Sequence, residues 1–532
     1  MKRASTDPAS NGAQKHARGS GDGGVERDDV DEDALVRDAE NAYDDDEVGG
    51  GRGGAEEYDD DVDFDEEEVY ARTGGGTGVN AVAADRENWV RKPLAKPVDA
   101  TRDGLLFQQL DIDYVVDKPH ETLGDRRSKG DAAVVRMFGV TGDGHSVCAH
   151  VHGFEPYFYC AVPENFSEAD CDAFRRRLNE EVSASRKNVQ GVCVISVSLD
   201  RKQSLMHYSE TKDRLVAKVT MGLPNMVSAA RGILEKGFSV PGVRDGAFTT
   251  YPTFESNIVY ALRFMVDCGV VGGNWIEFPV NSYTVRTKKT SHCQIEVDIS
   301  YDKLISHPAE GEYSKLAPFR ILSVDIECAG RKGHFPDAKF DPVIQIATLV
   351  TEQGSDKPII RAVWTLDTCA PIVGADVLSF KDERELLRNW GNFLRGCDPD
   401  LLIGYNIVNF DFPYLLDRAE TLGVSDFPYW GRMIGTKVRM RDTVFSSKAY
   451  GTHESKEISC EGRVQFDMLR AIQRDYKLSS YSLNAVSAHF LGEQKEDVHY
   501  SAISELQNGT PETRRRLAVY CLKDAYLSLI HI

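Results

Sequence analysis

Asp325 and Glu327 stand two residues apart at the end of Phe319-Arg320-Ile321-Leu322-Ser323-Val324-Asp325-Ile326-Glu327, a run that reads as a buried strand ending in carboxylates. That spacing on a strand sends both side chains to one face. Burying two adjacent carboxylates is costly unless something neutralises them, and a hard divalent cation with oxygen ligands does so well. Taken alone, the pair also suits a strand end emerging into water. Asp411 starts a helix after Tyr405-Asn406-Ile407-Val408-Asn409-Phe410, where it serves either a metal or the positive end of the helix dipole. Tyr520 and Asp524 are four apart on a late helix, hence on one face, and alone they read as a surface hydrogen bond. The combination is more specific than its parts. Asp-x-Glu on a strand, Asn-x-x-x-Phe-Asp entering a helix and Tyr-x-x-x-Asp on a late helix form the set that two-metal phosphodiester hydrolysis needs. Shared acids would hold two cations about 4 Å apart, activating a water and stabilising the leaving 3′ oxygen. The tyrosine would orient that water.

The elements that must position these groups are legible around them. Pro342–Val350 and Ile359–Leu366 read as further strands, Asp382–Arg395 as a helix, Leu401–Tyr405 as a short apolar strand and Phe410–Leu422 as a helix. Ser479–Phe490 and Pro511–Leu527 also read as helices. Strands followed by helix–strand–helix predict an α/β sheet covered by helices. Upstream, Val134–Val140, Ser146–His152 and Tyr157–Val162 read as strands, with Thr141-Gly142-Asp143-Gly144 as a turn. Helices are expected over Ser167–Val182, capped by Ser167, and over Val227–Lys236. This part reads as a mixed, β-rich domain ending near Pro318. No internal repeat is evident.

The 532 residues carry a net charge of −21, which argues superficially against a nucleic-acid partner. Residues 21–70 hold 23 acidic and 3 basic residues, so the rest of the chain is close to neutral and bulk charge says little about what it binds. Residues 1–87 lack hydrophobic periodicity and are rich in Gly, Asp and Glu, which predicts a disordered acidic tail. Lys2-Arg3 and Lys15-His16-Ala17-Arg18 fit a bipartite nuclear import signal or an ordinary charged tail. No apolar run approaches 18 residues and no apolar signal segment opens the chain, so neither a membrane span nor secretion is expected. The 11 cysteines include no Cys-x-x-Cys pair, which argues against a zinc ribbon or iron–sulfur cluster and favours a reducing compartment.

The three acidic stretches resemble the exonuclease motifs of family B DNA polymerases. Longer runs extend the resemblance to the delta-type replicative members: Asp325-Ile326-Glu327-Cys328-Ala329-Gly330-Arg331-Lys332-Gly333, Asp341-Pro342-Val343-Ile344-Gln345-Ile346, Gly404–Ala419, Ser479–Asp497 and Arg514–Tyr526. Phe107-Gln108-Gln109-Leu110, His152–Tyr159 and Arg263-Phe264-Met265-Val266-Asp267 agree, so the similarity runs from about Asn88 to Tyr526. It implies a ribonuclease-H-like 3′–5′ exonuclease domain over 319–532, preceded over 88–318 by an N-terminal polymerase domain with an OB-like β unit. It implies that Asp325, Glu327 and Asp524 hold the catalytic metal, that Asp325 and Asp411 serve a second through water, and that Tyr520 positions the nucleophilic water. Two Mg²⁺ or Mn²⁺ ions are then expected. The substrate would be DNA, at a single-stranded 3′ end or primer terminus, shortened 3′→5′ as proofreading. Polymerase accessory subunits, a sliding clamp and a nuclear location follow from the same resemblance. The family's Asp-x-x-Ser-Leu-Tyr-Pro and Tyr-Gly-Asp-Thr-Asp motifs do not occur in these residues, and Leu527–Ile532 departs from the family pattern. DNA synthesis is therefore not expected of this chain, and the helix bearing Asp524 is expected to fray.

Asn406 and Phe410 are further candidate nucleic-acid contacts. Arg432, Lys437, Arg439, Arg441 and Lys448 form a basic stretch that either tracks a strand's phosphates or is a solvated loop. His150 and His152 share a strand face without an evident third ligand, and no metal is expected there. Phe154, Tyr157, Phe158 and Tyr159 would stack on bases or pack a core. Two alternatives to the nuclease remain open: a catalytically inactive single-stranded-DNA-binding fragment, or truncated form, of the full polymerase, and a ribonuclease on the same type of fold.

Overall fold

The structure is a computed structural model that describes residues 89–120, 123, 130–185, 192–203, 213–243, 246–331, 334–355, 357–447, 451–492 and 500–530. The acidic tail, the import signal and Lys448 lie outside the described residues. No helix among the described residues is long and apolar enough to cross a membrane.

The chain first forms β1 (Leu105–Asp117), β2 (Ala132–Thr141) and β3 (Ser146–His152), an antiparallel meander. The Thr141–Gly144 turn closes β2 onto β3, and Gly144 takes a left-handed φ of 83°. A second unit follows: β4 (Tyr157–Ala161), α1 (Glu168–Ala184), β5 (Val194–Lys202), β6 (Arg214–Met221), α2 (Pro224–Lys236), the short pair β7 (Phe238–Ser239) and β8 (Phe248–Thr249), and β9 (Thr253–Phe254). Ser167 caps α1 in a reciprocal box with Asp170. α3 (Tyr260–Asp267) then leads back to β10 (Trp275–Phe278), β11 (Tyr283–Val285), β12 (Ile295–Ser300) and β13 (Ile305–His307), which complete the first sheet in the order β11-β12-β3-β2-β1-β10-β13.

The third unit carries the acids. Its sheet has the order β17-β16-β15-β14-β18-β21, from β14 (Arg320–Cys328), β15 (Val343–Glu352), β16 (Ile360–Leu366), β17 (Asp376–Phe380), β18 (Leu401–Gly404) and β21 (Val464–Asp467). β14, β15 and β16 are antiparallel neighbours, while β18 runs parallel to both β14 and β21. Leu322, Val324 and Ile326 of β14 join one core with α4 (Glu383–Cys397) and α5 (Asp411–Thr421). The opposite face is covered by α9 (Pro511–Ile530), whose Ala518, Cys521, Leu522 and Ala525 pack on Ala347, Leu349 and Val363. β19 (Arg439–Ser447) and β20 (Gly451–Ser459) form a separate hairpin, and α6 (Met468–Asp475), α7 (Leu483–Leu491) and α8 (Tyr500–Asn508) link it to α9.

A buried ion cluster joins the third unit to the segment before β1. Asp398 and Asp400 receive Arg91 (3.1 and 2.8 Å) and Arg432 (2.9 and 2.5 Å), and Asp398 also receives Arg463 (2.8 Å). Burial works to raise Asp398, but Arg432, Arg463 and Arg91 outweigh it and hold its carboxyl well below the usual range. His150 and His152 make another such tie: their Nε2 atoms meet Glu296 (2.9 Å) and Asp298 (2.7 Å), fastening β3 to β12. Cys148, His150 and Glu296 lie within reach of one another. Glu296, however, also accepts from the backbone and hydroxyls of Thr290 and Ser291, so its oxygens already have donors.

Candidate active site

Strand alternation decides which groups of β14 share the acidic face. Leu322, Val324 and Ile326 point into the core, so Ser323, Asp325 and Glu327 point toward α9. The helix is docked on that face by hydrogen bonds at two places. The Ser323 hydroxyl donates to the Ala525 carbonyl (2.7 Å), and the Gln345 amide donates to the Arg514 carbonyl (3.0 Å). Docking brings Cys521, Asp524 and Ala525 against the strand. The Cys521 thiol lies 3.3 Å from Asp325 Oδ2 and 3.5 Å from its carbonyl. Asp325, Glu327 and Cys521 each offer a ligand atom within 4.8 Å of the others.

Asp411 reaches the same place from the other side of the sheet. β18 pairs with β14 only as far as Ser323, so it leaves the backbone N–H of Ile326 beyond its end. Asp411 Oδ1 accepts that N–H at 3.2 Å. The turn that delivers Asp411 needs close approach: a Cβ on Gly404 would lie 2.6 Å from the Val324 carbonyl. Asn406 then takes a left-handed φ of 63°, which Asn tolerates better than most residues. Asp467, at the end of β21, holds this turn by accepting the N–H groups of Asn406 (2.9 Å) and Val408 (3.1 Å), and it caps α6 through Leu469 (3.1 Å).

Acids from β14, α5 and α9 therefore converge. Glu327, Asp411 and Asp524 are buried, and Asp325 is half-buried. Burial pushes Asp411 up to about 8, with the charges of Asp467 and Asp524 adding to it and the Ile326 N–H opposing it. Asp467 is also raised by burial. Burial, then the charges of Asp325 and Glu327, push the Cys521 thiol far up, so it remains a donor. Carboxylates crowded this way are destabilised by one another and by lost hydration. A cation relieves both, so the oxygen-rich donor set fits a hard divalent ion.

Tyr520 is half-buried on α9, one turn before Asp524. Phe410 lies next to Asp411 and meets Phe335 edge-on at 5.5 Å, and Phe335 is 61% exposed. Asn406 is buried in the turn. Lys437, Arg439 and Arg441 are exposed at and before the β19–β20 hairpin, with Arg441 paired to Glu457 (2.6 Å). Arg432 differs from the expectation: its side chain is fully buried on Asp398 and Asp400, which removes it from any DNA-facing surface. The fraying expected for α9 is not found either. The helix continues to Ile530, and Leu527 and Ser528 beyond Asp524 are buried. Sequence reasoning missed Cys521, Asp467 and Phe335. Only Asp467 left a signal, as an acid between a strand and a helix start.

Residues 251–486 match the model of the DNA polymerase family B exonuclease domain. The chain carries the exonuclease domain of a family B DNA polymerase. The matched span of this domain includes Asp325, Glu327 and Asp411 and stops short of Tyr520 and Asp524. The DNA polymerase delta catalytic subunit of Oryza sativa subsp. japonica is 54% identical over 449 residues, 84% of this chain and 40% of that protein. The Arabidopsis thaliana counterpart is also 54% identical, over 82% of this chain and 40% of its own length. That of Drosophila melanogaster is 48% identical, over 83% and 41%. The chain thus spans about two fifths of the length of these curated relatives. The structure of the family B DNA polymerase from the hyperthermophilic archaeon Pyrobaculum calidifontis has the same fold, with a TM-score of 0.56 and 23% identity over 80% of this chain and 45% of that one.

Proposed function

We propose that the domain is a 3′→5′ exodeoxyribonuclease, the proofreading portion of a delta-type replicative DNA polymerase catalytic subunit. The observation that carries this reading is the convergence of Asp325, Glu327, Asp411 and Asp524 from three separate elements around the end of β14. The sheet order, with three antiparallel strands flanked by parallel-paired β17 on one side and by β18 and β21 on the other, supports a ribonuclease-H-like domain over 319–532. The domain over 88–318 would contain an OB-like unit built on the β1–β3 meander, and residues 1–87 would form an acidic tail.

Asp325, Glu327 and Asp524 would hold one divalent ion, Mg²⁺ or Mn²⁺, and Asp325 with Asp411 a second. Such ions supply an activated water and charge stabilisation at the leaving oxygen. The protein's own groups do the rest. Asp467 fixes the turn that aims Asp411. Cys521 orients the Asp325 carboxylate by donating to it. Tyr520 positions the attacking water, and Phe410 with Phe335 receives the terminal base by stacking. Asn406 shapes the pocket. Lys437, Arg439 and Arg441 guide the strand's phosphates. DNA with a single-stranded 3′ end is the substrate, accessory subunits and a sliding clamp are the partners, and the nucleus is the site of action.

A 5′-labelled single-stranded DNA incubated with the chain and Mg²⁺ tests this. A ladder shortening from the 3′ end, absent for Asp325→Ala/Glu327→Ala, is expected. No degradation by a folded, monodisperse sample would overturn the reading.

A further inference from the structure

The first described residues of the chain are rooted in the joint between the first and third units. The Trp89 ring meets that of Phe393 edge-on at 4.9 Å and that of Trp364 at 5.9 Å. Arg91 ends on Asp398 and Asp400, the two carboxylates that also receive Arg432. Backbone hydrogen bonds continue the joint: the Thr290 carbonyl accepts from the Ile434 N–H (2.9 Å) and the Arg432 carbonyl from that of His292 (2.7 Å). The Lys92 carbonyl accepts from the Gln294 side chain (2.6 Å), so residue 92 adjoins the same stretch.

Ammonium groups collect at this root. Lys289 Nζ donates to the Cys293 and Gln294 carbonyls (3.0 and 2.6 Å), Lys288 precedes it, and Lys437 Nζ lies 5.7 Å from the Tyr429 ring centre. Lys92, Lys288, Lys289 and Lys437 are all exposed, and none has a carboxylate partner among the described residues. Like charges gathered from two units make a local positive potential, although the chain as a whole is negative. The complementary charge precedes them in sequence. Residues 56–68 hold ten acids and no base. Fully extended, such a run carries a negative charge every ~4.5 Å, near the ~3.4 Å of one strand of B-DNA. Twenty residues separate it from Trp89, a length that can span up to about 70 Å. Tethering through a short linker brings two groups together at an effective concentration on the order of millimolar, which favours this segment over an unlinked acidic partner.

We propose that residues 56–68 dock on the patch formed by Lys92, Lys288, Lys289 and Lys437, and there compete with a nucleic-acid strand for the same cations. The contact itself does not depend on the nuclease reading, whereas the competition rests on the role given to Lys437 above.

The test uses the whole chain carrying Asp325→Ala/Glu327→Ala, so that no strand is degraded. A carbodiimide joins a carboxylate to an ammonium group only where the two touch, and the joined peptides are mapped. Crosslinks from 56–68 to Lys92, Lys288, Lys289 or Lys437 are expected, and Lys288→Gln/Lys437→Gln should lower their total yield several-fold. Their yield should also fall as salt shortens the reach of the charges from about 10 Å at 0.1 M to about 3 Å at 1 M. In a mixture of isotope-labelled and unlabelled chains the crosslinks should stay within one chain. Replacing the ten acids of 56–68 by their amides should tighten oligodeoxythymidylate binding several-fold at low salt. That gain should be largely lost in the Lys288→Gln/Lys437→Gln background, whereas simple repulsion between the acidic run and DNA would preserve it. Crosslinks scattered over other lysines, crosslinks between chains, no crosslinks from 56–68, or a gain that survives the lysine changes would overturn the proposal. Mapped crosslinks without any gain in affinity would overturn the competition alone, and with it the placing of a strand on Lys437.

Discussion

The Cys521 thiol donates to the Asp325 carboxylate across 3.3 Å, so a soft sulfur stands beside an otherwise oxygen-built site. Thiolates prefer Zn²⁺ and Cd²⁺ to Mg²⁺. Cys521→Ala should therefore retain Mg²⁺-dependent cleavage within about tenfold while becoming several-fold less sensitive to inhibition by Cd²⁺. Inhibition curves for the two proteins check this, and identical Cd²⁺ sensitivity would remove sulfur from the site's metal preference.

Asp411 is raised because its charged form is buried beside other acids. A carboxyl whose folded pKa exceeds its unfolded one opposes folding as pH rises between the two values. The metal-free protein should thus lose stability from the ordinary carboxylate range up to about pH 8. Asp411→Asn keeps an acceptor for the Ile326 N–H and removes the charge. It should raise metal-free stability at neutral pH by at least about 1 kcal/mol and abolish cleavage. Thermal unfolding across pH, in chelator, measures the gain, which should vanish near pH 4.

Metal binding should be linked to the same proton. Coordination requires the ionised carboxylate, so binding expels a proton below about pH 8 and apparent affinity rises with pH until then. Calorimetry in buffers of different ionisation enthalpy would reveal the release. Heats independent of buffer at pH 7 would contradict the buried, protonated state of Asp411.

Arg432 and the exposed basic residues should separate cleanly. Arg432→Ala leaves Asp398 and Asp400 short of a buried partner and should cost about 3–5 kcal/mol. Lys437→Ala and Arg439→Ala should leave stability within about 0.5 kcal/mol and weaken single-stranded DNA binding in a salt-dependent way. Chemical denaturation and anisotropy titrations distinguish the two outcomes.

Local pattern carried much of this molecule. β3 coincides with the run read as Ser146–His152, and Ser167 caps α1 as its sequence context suggests. The four carboxylates were legible because each ends a strand or sits on a helix with its own periodicity. What stayed hidden depends on contacts between distant residues. Nothing near Cys521 in sequence says that Asp325 will lie beside it. Arg432 reads as one of several basic residues until Asp398 and Asp400, more than 30 residues earlier, close on it. The 13-residue β1 was missed because Leu105-Leu106 and Gln108-Gln109 break the alternation of its first half, and a bulge between Gln109 and Asp111 shifts the register before the alternating Leu110–Tyr114.

α9 lies across β14, the first strand of its sheet, although nearly 200 residues of chain separate Asp325 from Asp524. Contacts this distant in sequence form late, since loop-closure entropy must be met before they contribute. On a ribosome the first acids emerge well before the last, and the chain is threaded out from its N-terminus. The proposed metal site is therefore complete only once α9 has docked on β14, so a nascent chain, or one in which that helix is undocked, would lack Asp524 from it.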